Sequence, residues 1–322
     1  MTGGRVLGYR RPAMLGGPDN PDPGALTVRW YGTSNFELNF AGRVVLLDTF
    51  YDRGPRMRGL GFRPGEVVRA DAVLIGHPHY DHISDAAQVA AATGAPVVVH
   101  PLGADVLARG GLDAAQILPV TGLGGGDVLE LPGFTLHVIR AIHADLAHPE
   151  QQLSLDALRA ARDVWERDRP PLSSAEEAHA AAVQQRGTWA PEVFTEGTMC
   201  LVLDVAGYRI VYRDSGGPVS AEERAYFTAS PGCDLAIVGF TGRPLVRRQL
   251  SEATMPLIEL YQPRMVIPCH HDDLYPVFLD MPTEPLRMRV HEQLPAASTI
   301  QPVYVEPVTI GLKSGAITVG DG

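Results

Sequence analysis

The sequence predicts an α/β fold in which two β-sheets pack face to face and helices cover their outer faces. First, three short strand-like segments, 26–31, 35–39 and 43–48, follow one another with turn residues between them, as in an antiparallel meander. Second, predicted strands and helices alternate from residue 71 onward. Third, the second half of the chain repeats this order, and two β-rich halves with helices outside imply two packed sheets.

The individual elements are apolar runs bounded by turn residues. Residues 1–25 are rich in Gly and Pro and are predicted to form an irregular N-terminal tail. After the meander, the first half is predicted to contain strands 71–76, 96–100 and 134–142 and helices 85–93 and 102–109. The second half is predicted to contain strands 198–205, 208–213, 234–239, 265–269 and 303–310 and helices 221–228, 252–261 and 285–294.

Residues 147–195 interrupt this pattern and are predicted to form a helical insertion. The segments 153–167 and 175–185 have the charge and alanine content of exposed amphipathic helices. A segment this long inside a compact domain usually has a function. We expect the insertion to form a lid over one edge of the sheets or a contact between the subunits of a homo-oligomer. Its aromatic residues that could supply apolar contacts are Trp165, Trp189 and Phe194.

Composition restricts the class of partner. The formal net charge is −10, with 37 acidic and 27 basic residues, which argues against nonspecific binding to nucleic acid or to an anionic membrane. No stretch approaches the length of a membrane span, and the first residues lack the apolar core of a signal peptide. The three cysteines are far apart, which fits a reducing compartment. A cytoplasmic protein with a small-molecule substrate is therefore predicted.

The most informative feature is a cluster of metal-binding side chains at 77–82, which read His-Pro-His-Tyr-Asp-His after the apolar run 71–76. A turn at a strand end does not need three imidazoles, whereas divalent metals bind such clusters. His77 and His79 are two apart on an extended segment and point the same way. Asp81 and His82 follow where the chain turns, so they can face a second metal. We therefore predict a dinuclear metal site.

Further candidate ligands end other predicted strands. His143 and Asp214 each end a strand and precede small or turn-forming residues. Taken alone, His143 could be a surface histidine and Asp214 could cap a turn. His270 and His271 compete for the last ligand position, and the Pro-x-His spacing favours His270, which leaves His271 to face substrate. Cys269 is predicted to be inert core.

These residues resemble the signature of the metallo-β-lactamase superfamily. The family's pattern appears here, in order and at matching separations, as the motif 77–82, His143, Asp214 and His270, with the upstream segments 30–36 and 45–49. Within the superfamily the chain is most similar to the metal-dependent hydrolases that include ascorbate-6-phosphate lactonase and N-acylphosphatidylethanolamine phospholipase D. The resemblance covers roughly residues 27–145 and 197–295.

The resemblance implies a four-layer αββα sandwich, formed by a single domain at 26–322, with metals at the open edge between the sheets. It implies two divalent ions, for which Zn²⁺ is favoured and Mn²⁺ or Fe is compatible. The first ion would be held by His77, His79 and His143, the second by Asp81, His82 and His270, and Asp214 would bridge both.

The favoured function is hydrolysis. A metal-bridging hydroxide would attack a lactone, ester, amide or phosphodiester of a small molecule. Asp81 is predicted to orient this nucleophile, or to take its proton if only one metal is bound. His271 is predicted to protonate the leaving group or stabilise the transition state. Two alternatives remain, a di-iron redox enzyme on the same scaffold and a non-catalytic metal-binding protein. Related lactonases often carry a His-Met pair where this chain has the segment 243–249, which contains no histidine. Its residues Arg243, Arg247 and Arg248 could hold a phosphate or carboxylate, or could equally form the solvated start of a helix.

Overall fold

The computed structural model describes residues 24–67, 69–144, 171–240, 247–274, 277–278 and 283–319. Their strands are β1 (Ala25–Trp30), β2 (Phe36–Phe40), β3 (Arg43–Leu47), β4 (Ala72–Leu74), β5 (Val97–Val99), β6 (Ile117–Pro119), β7 (Asp127–Leu131), β8 (Phe134–Ala141), β9 (Thr198–Val205), β10 (Tyr208–Arg213), β11 (Cys233–Gly239), β12 (Pro263–Cys269), β13 (Asp273–Leu274), β14 (Val277–Phe278), β15 (Ser298–Thr299), β16 (Pro307–Gly311) and β17 (Ile317–Val319). Their α-helices are α1 (Tyr80–Ile83), α2 (Ala86–Thr93), α3 (Pro101–Arg109), α4 (Ser174–Gln184), α5 (Glu192–Thr195), α6 (Ala221–Ala229), α7 (Arg247–Tyr261) and α8 (Glu284–Gln293).

All of these strands except β13 and β14, which pair with each other, form two mixed sheets. Each of the two runs from antiparallel strands into parallel ones. The first sheet has the order β17-β16-β1-β2-β3-β4-β5-β6 and is antiparallel from β17 to β3 and parallel from β3 to β6. The second has the order β15-β12-β11-β10-β9-β8-β7 and is antiparallel from β7 to β10 and parallel from β10 to β15. The predicted repeat is therefore present, but β16 near the chain's end returns to the first sheet beside β1.

The second sheet is buried on both faces. Along β9, Met199 and Leu201 belong to the same apolar cluster as Leu38 of the first sheet, so they lie between the sheets. Cys200 and Val202, which alternate with them, pack on the other face. This alternation follows from the pleat of a strand, which points successive side chains to opposite sides. The apolar residues that cover the other face from the helices include Phe227 of α6, Leu257 and Ile258 of α7, and Val290 of α8.

Helices also cover the first sheet, where Val89 of α2 and Leu107 of α3 are buried with Val73 and Val98. The architecture is thus the predicted four-layer αββα sandwich. Most helices begin and end within a few residues of their predicted bounds. The edge strand β7 is not predicted, because its half-buried side chains leave only a weak apolar signal.

Several predictions concern residues outside the described ranges. Residues 1–23 of the predicted tail and the predicted helix 153–167 are among them. Within the described part of the insertion, α4 lies where helix 175–185 is predicted. Among the described residues, no helix has both the length and the apolar character that a membrane crossing needs. The single-domain boundary, the cytoplasmic location and the homo-oligomer stay predictions.

Candidate metal centre

Four strands deliver the predicted ligands to one place. His77 follows β4, His143 follows β8, Asp214 follows β10 and His270 follows β12. Because β4 belongs to the first sheet and β12 to the second, the site lies at the edge between the two sheets. The ligand atoms form three overlapping groups, each within 4.8 Å, namely His77-His79-His143, His77-His82-Asp214 and Asp81-His82-His270.

The first group consists of three imidazoles. Nε2 of His77 lies 3.0 Å from Nδ1 of His79 and 3.1 Å from Nε2 of His143. Tetrahedral coordination at a metal–nitrogen distance near 2.0–2.1 Å separates two nitrogens by about 3.3 Å. The spacing of these nitrogens therefore suits a shared metal ion.

The hydrogen-bond partners of His77 and His143 determine which nitrogen of each ring carries the proton. Nδ1 of His77 is 2.6 Å from Oδ2 of Asp214, and Nδ1 of His143 is 2.6 Å from the carbonyl oxygen of Ala144. The carbonyl, and the ionised carboxylate, can only accept, so Nδ1 of each ring is the donor. The Nε2 atoms of His77 and His143 then present lone pairs to each other at 3.1 Å, an arrangement that a cation stabilises.

The second group combines a carboxylate with two imidazoles. Oδ2 of Asp81 lies 3.2 Å from Nε2 of His270 and 3.5 Å from Nε2 of His82. Nε2 of His82 is buried and makes no hydrogen bond. This buried polar atom faces Asp81, so a metal ion at this position would satisfy it.

Asp214 is placed against the back of the first group. Its Oδ2 atom accepts from His77 and also lies 3.3 Å from Nδ1 of His82. Its Oδ1 atom is buried and has no hydrogen-bond partner. A Cβ atom on Gly76 would overlap the Asp214 carboxylate, so only glycine leaves room for it. The structure brings Asp214 to His77 and His82, and its bridging of two metals stays a prediction.

Asp48 is a buried residue of the site that is not among the ligands predicted from the sequence. Its Oδ2 atom lies 2.5 Å from Nδ1 of His82, and its Oδ1 atom accepts from the amide of Gly76 at 2.8 Å. The hydroxyl of Tyr212 also contacts Oδ2. Asp48 has a φ of 52°, a left-handed conformation that costs free energy in a non-glycine residue. Its place in the segment 45–49 was the signal that could have identified it.

The three imidazoles of the first group are neutral at pH 7. Desolvation by burial lowers the pKa of His77 well below its ordinary value. The same cause lowers the pKa of His79 to about 4 and that of His143 to about 3. Neutral imidazole is the form that binds a metal, so no proton has to leave before binding.

In the second group the charged forms of the side chains are favoured. Burial opposes a charge on His82, but the carboxylates of Asp81 and Asp48 outweigh it and raise the pKa of His82 well above its ordinary value. Burial also raises the pKa of Asp48, to about 6. Burial alone would raise the pKa of Asp81, but the interactions of its carboxylate with His82 and His270 are stronger and hold this pKa well below the usual range. The electrostatics of this group favour a positive charge, so both groups fit metal ions.

The remaining candidates take different positions. His271 is fully buried, and its ring stacks on Trp30 with centroids 4.6 Å apart. Its predicted catalytic role stays a prediction. Cys269 is buried in the apolar core, and burial raises the pKa of its thiol well above the ordinary value, as an inert cysteine requires. Arg243 and the side chains of Arg247 and Arg248 lie outside the described residues.

Comparison with known sequences agrees with this site. Residues 43–162 match the family model of the β-lactamase superfamily domain. The chain is 32% identical over 117 residues to a metal-dependent hydrolase of Lawsonia intracellularis, a match that covers 36% of this chain and 50% of the relative. The chain thus spans about half the length of the curated relative that it matches.

Solved structures show the same fold. Igni18, a metallo hydrolase from the archaeon Ignicoccus hospitalis, superposes with a TM-score of 0.57 at 17% identity over 89% of this chain and 98% of its own. CmlA, a diiron β-hydroxylase from Streptomyces venezuelae, has a TM-score of 0.51 at 12% identity over 90% of this chain and 55% of its own. At these identities the likeness establishes the fold alone.

The two packed sheets and the histidine-rich edge resemble those of the metallo-β-lactamase superfamily. The resemblance predicted from the motif at 77–82 is confirmed by the match of residues 43–162 to the β-lactamase superfamily domain, which covers less than half of the chain.

Proposed function

We propose that this chain is a metal-dependent hydrolase that uses two divalent ions to cleave a lactone, ester, amide or phosphodiester bond in a small molecule. The observation that carries the proposal is the pair of Nε2 lone pairs of His77 and His143, which face each other at 3.1 Å. The similarity to named metal-dependent hydrolases supports it. Zn²⁺ is the preferred ion, because neutral imidazole and carboxylate ligands both suit it.

Two sets of residues in this chain would bind the two ions. His77, His79 and His143 would hold one ion and Asp81, His82 and His270 the other, with Asp214 between them. When bound, divalent ions acidify water and polarise a carbonyl or phosphoryl oxygen. Burial of these side chains excludes bulk water, which strengthens their electrostatic effect on a substrate.

Asp81 is the proposed ligand best placed to orient an attacking water molecule. It is 8% exposed, less buried than the fully enclosed His82 and Asp214, and its pKa is held well below the usual range. An ionised carboxylate there can accept a hydrogen bond from the attacking water and orient it. The Asp81 carboxylate therefore orients the nucleophile in the proposed reaction.

A hydrolysis screen tests the proposal. Zn²⁺-loaded protein is assayed against p-nitrophenyl acetate, γ-butyrolactone and bis(p-nitrophenyl) phosphate. We expect turnover of at least one, and a loss of about 100-fold or more for Asp81→Asn. The matched control is His291→Ala, which removes an exposed histidine of α8 and leaves the rate unchanged. Absence of turnover in this panel and in a wider set of lactones, esters, amides and phosphodiesters, with two ions bound, overturns the proposal.

The di-iron redox alternative has one supporting observation, the shared fold of the diiron β-hydroxylase. Histidine and carboxylate ligands also accept iron. Iron as the dominant metal of the purified protein, with a visible absorption band, would favour this function over hydrolysis.

A further inference from the structure

Two aromatic rings of the insertion stand against the first imidazole group. The ring of Trp189 lies 4.3 Å from that of His79, with 33° between the planes, and 5.8 Å from that of Tyr80. The ring of Phe194 lies 5.3 Å from His79 and 4.9 Å from His143. We call Trp189 and Phe194 the aromatic wall. It contacts two of the three side chains proposed to hold the first ion.

Backbone hydrogen bonds fix the aromatic wall to the segments that carry the ligands. The amide of Thr188 donates to the carbonyl oxygen of Pro78 at 2.9 Å, and the amide of His143 donates to the carbonyl oxygen of Phe194 at 3.0 Å. A Cβ atom on Gly187 would overlap the amide nitrogen of Tyr80, so this segment fits closely against the motif loop. These contacts hold the segment 187–194 against the segments that carry the ligands.

The exposure of Trp189 is unusual for its surroundings. Its side chain is 55% exposed although one part of the ring stacks on the buried His79. When a ligand covers the exposed part of such a large apolar ring, the burial of its surface makes the free energy of binding more favourable. Small-molecule sites combine such apolar walls with a few polar groups that fix orientation.

The shape of the wall selects the ligand. Both side chains are planar rings, and planar partners stack on them better than branched aliphatic groups do. A planar aromatic group therefore fits this surface.

We propose that Trp189 and Phe194 form an apolar subsite that binds an aromatic ring of the substrate, attached next to the group that the metal centre cleaves. The adjacency follows from the contact of Trp189 with His79, since a group on the wall lies within a few bonds of an atom at the first ion. The subsite rests on the proposed function for its role in catalysis. Its binding preference is measurable without turnover.

A pair of phosphonates tests the subsite. Phenylphosphonate and methylphosphonate carry the same metal-binding group, and only the first carries a ring. Their dissociation constants for the Zn²⁺-loaded protein are measured by calorimetry. We expect the phenyl compound to bind about tenfold more tightly, the equivalent of one stacking contact. We expect Trp189→Ala to remove this preference and leave methylphosphonate binding within twofold, and Trp189→Phe to retain most of it.

The control is Met288→Ala on α8, since Met288 is also 55% exposed. If the aromatic wall is responsible, Met288→Ala keeps the full preference for phenylphosphonate over methylphosphonate. Equal binding of the two phosphonates by the wild type overturns the subsite, as does an equal loss of both in Trp189→Ala, which would indicate a purely structural role. Failure of both compounds to bind also overturns it. A preference for the ring without any hydrolysis in the substrate screen would sustain the subsite while the proposed hydrolase function fails.

Discussion

The carboxylate of Asp48 lies 2.5 Å from the imidazole Nδ1 atom of His82, although the two residues are 34 positions apart. Both side chains are fully buried. The carboxylate fixes the ring so that Nε2 points toward Asp81 and the second group. A carboxylate behind a histidine ligand orients the ring and raises its basicity, which strengthens metal binding.

We expect Asp48→Asn to weaken binding of the second ion by about 10–100-fold. The first ion, held by His77, His79 and His143, should bind with little change. Titration of metal-loaded protein with a chromophoric chelator measures both steps. The control is Asp105→Asn, which changes an exposed carboxylate on α3. Unchanged affinity of both ions in Asp48→Asn would show that His82 does not depend on this contact.

Gly76→Ala should disturb the site through a single methyl group. Its Cβ atom would overlap Oδ2 of Asp214, which holds Nδ1 of His77, so the carboxylate has to move. We expect loss of one bound ion and at least a tenfold fall in hydrolysis. Gly59→Ala is the matched control, since a Cβ atom there meets no neighbour within 4 Å. If Gly76→Ala keeps both ions and full activity, Asp214 is not required where it lies.

Arg213 connects the strands that carry His143 and Asp214. Its guanidinium donates to Glu223 at 3.0 Å and to the carbonyl oxygen of Ser215 at 2.6 Å, and it contacts the carbonyl of Ile142. We expect Arg213→Met to lower the free energy of unfolding by about 3–5 kcal/mol, because the buried Glu223 carboxylate loses its charged partner. Denaturant unfolding measures this loss.

The double variant Arg213→Met/Glu223→Leu provides the control for that experiment. Replacing both members of a buried ion pair by apolar side chains removes the unpaired charge. We expect it to recover part of the lost stability. The single variant Glu223→Leu completes the comparison. If the loss of stability in the double variant equals the sum of the losses in the two single variants, the two residues are not coupled.

The metal-free protein should lose stability as the pH falls below 6.5. His79 and His143 have folded-state pKa values of about 4 and about 3, against an ordinary value of 6.5. Between pH 6.5 and about 4 the unfolded chain therefore binds more protons at these two residues than the folded chain does, so their titration favours unfolding in acid. The midpoint of thermal unfolding across this range, followed by circular dichroism, measures the effect. His143→Asn should show a shallower dependence and His291→Asn the wild-type one, whereas identical slopes in all three would contradict the buried neutral state.

Much of the sandwich could be predicted from the sequence, since apolar runs such as 71–76 and 198–205 are long enough to mark buried strands. The convergence of the motif with His143, Asp214 and His270 was also predictable, because each follows such a strand. Pairings that join the chain's end to β1 were not, since nothing local in β16 specifies its partner. β16 illustrates that strand order depends on the whole chain.

Side-chain relationships across the site were the least predictable part. The role of Asp48 depends on a left-handed backbone angle and a partner 34 residues away, neither of which has a periodic signal. The contact between Trp189 and His79 depends on how the insertion folds back over the motif. A pattern of residue types indicated that the insertion matters, but only the structure identifies Trp189 as the ring beside the first group.

The most direct test of the account is the metal content of the purified protein, measured by inductively coupled plasma mass spectrometry after loading with Zn²⁺ and removal of free ions. We expect two ions per chain in the wild type and in His291→Ala, about one in His143→Ala, and loss of the second ion in His270→Ala. Fewer than about half an ion per chain in folded wild-type protein, or the same content in all four proteins, would contradict a metal centre at this edge of the sheets.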